Sequence, residues 1–303
     1  MSRPSINLFK TPLTKRDSSI GGPQPSQTDQ IPEVYMAWLV QTIESEIIPR
    51  LMAAHQPSAA LKGQYKESNQ HVSPEEVVEF SDLCMVSEAQ VCLAYIEVLL
   101  KRGVSLSTIY LELLAPAARR LGQMWVDDQC QFTETTIGLW RMQQVMHDLS
   151  PVFQLGGRRT DRSPYSIMLA TIPDSQHSFG LQMVAEYFRR AGWTVQHDSG
   201  APRAELMKTL SQTWFDVVGL SISLESQLCN LSELITELRN QSKNPALKVI
   251  LGGPLCYAQP EAMNSFGADA TAVDAPQAVS IAETLAQAAE PEQQLVQSMR
   301  HTN

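Results

Sequence analysis

Ser166-Ile-Met-Leu-Ala-Thr-Ile172-Pro-Asp-Ser-Gln-His177-Ser-Phe-Gly180 is the stretch on which the fold turns. Residues 166–172 form a short apolar run that reads as a buried strand, and a helix from Leu181 to Ala191 follows, striped by Leu181, Val184, Ala185 and Phe188. His177 therefore sits on the loop leaving a parallel strand, three residues before a helix-opening glycine. That is the carboxyl edge, where doubly wound sheets bind ligands. Imidazole is also the commonest protein ligand for a transition metal. A plain surface-loop histidine has the same local pattern, so the reading depends on what the rest of this half supplies.

Further strand candidates fall at 193–197, 215–222, 247–251 and about 270–273, separated by helical stripes such as Leu228, Leu231, Leu234, Ile235 and Leu238. Strand and helix in alternation predict a five-stranded parallel sheet covered on both faces, of flavodoxin or Rossmann type. Upstream, Gly156-Gly157-Arg-Arg-Thr-Asp-Arg-Ser-Pro164 reads as a linker. The half before it shows helical periodicity only. Ile31, Val34, Trp38, Leu39, Ile43 and Ile47 make one stripe, and Ala89, Cys92, Leu93, Ile96, Leu99 and Leu100 another, closed by Gly103. Ser73-Pro74-Glu75-Glu76 is a capping box. Ser107 to Trp125 is a long helix that Pro116 should kink or interrupt. Thr133 is expected to cap a last helix to about Leu149, with Phe132 and Ile137 as a hydrophobic staple.

The predicted plan is α + α/β: a disordered start (1–30), a helical bundle (31–155), an α/β domain (163–290) and a flexible tail (291–303). Net charge is −9, which argues against extensive binding of nucleic acid through phosphates. Five scattered cysteines with no C-x-x-C pair fit reduced thiols in a cytoplasm. Neither a membrane span nor a secretory signal is read, so a cytoplasmic protein is expected.

Three loops should meet at the sheet edge: Asp174 to Gly180, Leu220-Ser221-Ile222-Ser223-Leu224, and Gly252-Gly253-Pro254. Ser221 lies 44 residues beyond His177, and Gly252 lies 75. Ser221 and Ser223 could simply satisfy local backbone, and the glycines could simply turn the chain. Together the loops offer one metal ligand, small hydroxyls and bare backbone, a surface suited to a flat polar group.

In these residues the chain resembles the cobalamin-binding domain family, whose signature is (Asp/Glu)-x-His-x-x-Gly, then Ser-x-(Leu/Thr), then Gly-Gly. The resemblance implies that His177 is the lower ligand to cobalt, replacing cobalamin's own benzimidazole. It also implies that Gly180 opens the following helix and that the displaced nucleotide tail threads past Ser221 and Gly252-Gly253. Two positions depart from the pattern. Ser175 stands where the family usually has an acid bonded to the histidine, and Ser223 where Leu or Thr is common. Loss of the carboxylate should weaken His177 as a ligand or loosen control of its proton, with Asp174, one residue off register, as a candidate substitute.

Ile109 to Trp125 resembles the helical domain that precedes cobalamin-binding domains in methyl carriers and B12-dependent regulators. Trp125 matches a tryptophan that packs on the upper ligand, although an ordinary core aromatic is its competing reading. Thr135 and Thr136 occupy the positions of a Glu-His pair typical of adenosyl recognition, so hydroxo- or methylcobalamin is expected rather than adenosylcobalamin. Asp128, Phe132, Thr136-Ile137-Gly138 and Arg141-Met-Gln143 extend the resemblance to the AerR/PpaA-type antirepressors of photosynthesis genes. This implies a non-enzymatic sensor of light or redox state whose partner is a transcription factor or repressor protein, with DNA contact weak or absent. The alternative is a corrinoid methyl carrier serving a methyltransferase. A flavodoxin-like module without cobalamin fits less well. No G-x-G-x-x-G follows the first strand, Lys248 starts its strand, and no Ser or Cys motif accompanies His71, His147 or His197.

Overall fold

Ser73 begins the described bundle with the capping box expected of it. Its Oγ accepts from the Glu76 N–H at 3.3 Å, and the Glu76 carboxylate accepts from the Ser73 N–H at 2.8 Å. The computed structural model describes residues 70–157, 163–173, 175, 177–259 and 261–300. The stripe from Ile31 to Ile47 and the start at 1–30 lie outside them. Helix α1 (Pro74–Val86) leads to α2 (Ala89–Arg102), which stops at Gly103.

The next helix, α3, runs in three consecutive pieces: Leu106–Thr108, a π-helical Ile109–Leu114, and Ala115–Val126. Pro116 does not end it, but the α-helical pattern is interrupted just before the proline. Proline has no N–H to give the carbonyl four residues back, and its ring crowds that carbonyl. The chain answers by widening the preceding turn, where the Ala115 N–H donates to the Tyr110 carbonyl, five residues back.

Helix α4 (Phe132–Leu155) differs from expectation at both ends. Gln131, not Thr133, is its N-cap, and the Gln131 N–H donates to the Glu134 carboxylate at 2.7 Å. Phe132, now the first residue of the helix, packs on Trp125, edge-on with ring centroids 5.8 Å apart. At the far end the helix passes through Pro151 and continues to Leu155. Packing overrides the proline there: Val152 and Phe153 are buried, and Phe153 stacks on Tyr110 at 4.2 Å.

Five strands follow: β1 (Ser166–Thr171), β2 (Thr194–Asp198), β3 (Val217–Ser221), β4 (Lys248–Gly252) and β5 (Ala270–Thr271). They pair in parallel in the order β2-β1-β3-β4-β5, so the connection reverses direction between β1 and β3. That switch point is where such sheets open a crevice at their carboxyl ends. One face buries Met168, Val218, Leu220 and Leu251 under α6 (Arg203–Gln212) and α7 (Leu231–Gln241). The other buries Ile167, Leu169, Val217 and Ile250 under α5 (Phe179–Arg190) and α9 (Ala275–Arg300). Between β4 and β5 comes the short α8 (Pro254–Ala258). Helix α9 continues past residue 291, where composition suggested that a tail begins.

Helix α5 is shared between the two halves. Leu181, Ala185 and Phe188 face the sheet, while Met183 and Tyr187 join the core of the bundle. The Tyr187 hydroxyl lies 3.0 Å from Ser107 Oγ of α3. Buried Glu186 accepts from Ser150 Oγ (2.5 Å) and Gln154 Nε2 (3.0 Å) of α4, and from Arg189 (2.8 Å).

Candidate functional site

Thr171, Ser221 and Gly252, the last residues of β1, β3 and β4, lie side by side in register. The sheet thereby gathers the three predicted loops at one edge. Buried Thr171 organises the first of them: its Oγ1 donates to the Ser175 carbonyl at 3.3 Å and accepts from the Gly200 N–H at 2.9 Å. The Ser175 N–H returns to the Ile172 carbonyl at 3.0 Å, closing the turn that lifts His177 out of the edge.

His177 is exposed, and its Nδ1 lies 3.4 Å from Oγ of buried Ser175. With the proton on Nδ1 directed at that hydroxyl, Nε2 keeps its lone pair for a metal. The contact is long for a hydrogen bond. A serine hydroxyl does occupy the place of the missing acid, but it holds the ring less firmly than a carboxylate would. Asp174, the candidate substitute, lies outside the described residues. Among the described residues no three His, Cys, Asp or Glu side chains converge to hold a bare metal ion. A lone imidazole suits a metal whose other positions a macrocycle already fills.

In the second loop the main-chain work falls to a residue that sequence reasoning missed. Gln227 Oε1 accepts from the N–H groups of Ser223 (2.8 Å) and Leu224 (3.1 Å). The Ser223 hydroxyl is buried with no hydrogen-bond partner. Such an orphan costs stability unless something else satisfies it, which fits a polar group docking here and not a local cap.

The glycine pair divides its roles. Gly253 has φ +101°, and a Cβ there would stand 2.6 Å from the Ile222 carbonyl oxygen and 2.8 Å from Ser221 Oγ. Only glycine lets the turn after β4 lie this close to the end of β3. A Cβ on Gly252 would meet nothing closer than 3.6 Å. One added to Gly180, at the start of α5, would meet nothing within 4 Å, so no protein packing explains that glycine.

Trp125 is not a core aromatic: it is 48% exposed. With Asp128, Gln129, Cys130, Gln131, Phe132 and Glu134 it lines a groove of about 560 Å³ on the bundle. The two threonines nearby spend their hydroxyls locally. Thr135 Oγ1 lies 3.1 Å from Cys130 Sγ, and Thr136 Oγ1 donates to the Phe132 carbonyl at 2.8 Å. The bundle reaches the sheet edge through Arg119, on the same helix as Trp125, whose guanidinium lies 5.8 Å from the ring centre of Tyr257 in α8. All five cysteines are free thiols. Cys84 and Cys92, on the successive helices α1 and α2, meet in the bundle core, where their hydrogen bond and burial push the Cys84 thiol up and that hydrogen bond draws Cys92 down.

A parallel sheet with a histidine, an orphaned serine and glycines gathered at one carboxyl edge defines the ligand-binding type of doubly wound α/β domain. Residues 165–282, the sheet half of the chain, match the model of the B12 binding domain family. An uncharacterised 20.5 kDa protein from the bchF-crtJ intergenic region of Rhodobacter capsulatus is 26% identical over 153 residues, half of this chain and 79% of that protein. Among solved structures, the monomethylamine corrinoid protein of Methanosarcina barkeri shares the fold with a TM-score of 0.56. The match has 16% identity and covers 69% of this chain and 98% of that one.

Proposed function

We propose that the chain is a cobalamin-binding regulatory protein that acts as an antirepressor on a transcription factor in the cytoplasm, in response to light or redox state. The observation that carries this reading is the Ser175–His177 contact at 3.4 Å. A weakly held imidazole can bind cobalt, yet it gives poor control of the proton on the ligand. A methyl carrier, whose cobalt cycles between oxidation states, needs that control. A switch does not.

Bound cobalamin supplies a cobalt whose upper ligand can be exchanged by light or reduction. The chain's own residues set the rest. When cobalamin is bound, His177 Nε2 would hold the cobalt, Ser221, the Ser223 hydroxyl and the Gly252-Gly253 turn would receive the nucleotide tail, and Trp125 with Phe132 would cover the ring. Because Thr135 and Thr136 stand where the resemblance places the Glu-His pair of adenosyl recognition, a small upper ligand, hydroxo or methyl, fits better than adenosyl. The likeness to the bchF-crtJ intergenic protein accords with the AerR/PpaA-type resemblance. The carrier reading draws on the fold shared with the monomethylamine corrinoid protein.

Purified protein mixed with hydroxocobalamin should take up colour and keep it through gel filtration. His177→Ala should shift the spectrum toward the water-ligated form or abolish retention. A variant with an unaltered spectrum would remove His177 as the lower ligand. Illumination of the loaded protein should change its affinity for a repressor, whereas methyl loading by a methyltransferase would favour the carrier.

A further inference from the structure

The second loop of the sheet edge is braced from two sides. Toward β4 and α8, the Ile222 N–H donates to the Gly252 carbonyl at 2.8 Å, and the Ile222 carbonyl accepts from the Leu255 N–H at 3.1 Å. On the other side stands Gln227, in the short 3₁₀ helix Glu225–Asn230 that leads into α7. Its Oε1 accepts from two successive N–H groups, those of Ser223 and Leu224, and its own N–H donates to the Leu224 carbonyl at 3.1 Å. Ser223 Oγ, between the two braces, is buried yet bonds nothing among the described residues. A serine hydroxyl readily bonds its own or a neighbouring backbone N–H. Here those of Ser223 and Leu224 are already taken by a side-chain amide from further along the chain, and the hydroxyl is left over.

We propose that Gln227 is a positioning residue: by occupying the N–H groups of Ser223 and Leu224 it reserves the Ser223 hydroxyl for the nucleotide tail of a cobalamin, and so makes the site prefer corrinoids that carry a tail. This rests on the cobalamin reading above. Without the amide oxygen the two N–H groups compete for the Ser223 hydroxyl, which is then consumed locally. With it, the hydroxyl has no local bond to break before it meets the tail, and its bond to the tail is a net gain. Gln227 acts through Ser223.

Hydroxocobalamin and diaquacobinamide, which has the corrin and cobalt but no nucleotide, separate this role from a purely structural one. Both are titrated into the full chain and followed by absorbance. Gln227→Leu, which removes the acceptor, should weaken hydroxocobalamin about three- to tenfold, the worth of one neutral hydrogen bond, and leave cobinamide affinity unchanged. Ser223→Ala should do the same, and the double variant should be no weaker than Ser223→Ala. Gln227→Glu keeps an oxygen at the same reach and should bind both corrinoids as the unaltered chain does. If Gln227→Leu does not fold, Gln227→Asn, which draws the amide back by one methylene, takes its place and should show the same split. Equal weakening of both corrinoids, no weakening of either, or losses that multiply in the double variant would overturn the role. If the unaltered chain binds neither corrinoid, the cobalamin reading fails and this inference with it. If it binds both and the variants lack the split, the inference alone falls.

Discussion

Two glycines at the sheet edge answer to different masters. Gly253 is demanded by the protein itself, since a Cβ there runs into the backbone at Ile222 while φ is +101°. Gly180 is demanded by nothing visible in the chain. Gly253→Ala should therefore destabilise the protein even without cofactor, by about 1–3 kcal/mol. At roughly 2–4 °C per kcal/mol for a chain of this size, thermal melting would register the change. Gly180→Ala should melt at the same temperature or slightly higher, because alanine suits a helix better, yet retain less cobalamin on gel filtration. Similar melting losses for both would show that Gly180 is a packing glycine. That the loops carrying His177, Ser221 and the glycine pair share one sheet edge was legible in the sequence, because strand order determines which loop ends meet. The role of Gln227 was not, since nothing local distinguishes a glutamine that bonds two backbone N–H groups from one in solvent.

At the scale of elements, α5 matters most, as it starts two residues after His177 and belongs to both cores. Glu186→Ala would leave Arg189, Ser150 and Gln154 without their buried acceptor. Hydrogen bonds to a charged group are worth about 1.5–3 kcal/mol, so urea unfolding should lose about that much. Faster amide exchange in α4 than in the unaltered chain should accompany the loss. Alkali should loosen the same junction. Burial pushes the Tyr187 phenol up to about 12, and Tyr110 moves in the same direction for the same reason. Unfolded tyrosine ionises near 10, so the stabilisation is complete below about pH 10 and is lost as pH rises through 12. Melts at pH 9 and pH 11.5, compared with those of Tyr187→Phe, measure this. The variant should lose less stability over that interval. Capping at Ser73 and the alternation of strands and helices could be read from residue order. The length of α4 could not, because the residues after Pro151 are buried by distant partners, among them Tyr110, which stacks on Phe153 from 43 residues away. Nor was the sharing of α5 legible: a helix with apolar residues on two faces does not say which partner each face takes.

For the whole molecule, a net charge of −9 and a pI near 5.2 leave little electrostatic attraction for a phosphate backbone. Mixed alone with DNA at about 0.15 M salt, the protein should produce no mobility shift. Added to a repressor bound to its operator, it should release DNA in a manner that depends on illumination or reduction of the bound cobalamin. Release that ignores the cofactor's state would uncouple the two halves. Among the described residues no helix is long and apolar enough to cross a membrane. The widened turn at Ile109–Leu114 bears on how related chains should be aligned. It takes up one residue more than an ordinary helical turn, so a relative one residue shorter within it can point Arg119 and Trp125 in the same directions. A single insertion anywhere in the regular part that follows would swing whatever lies beyond it by about 100° around the axis. Gaps placed in that six-residue window are thus structurally silent, and those placed a few positions later are not.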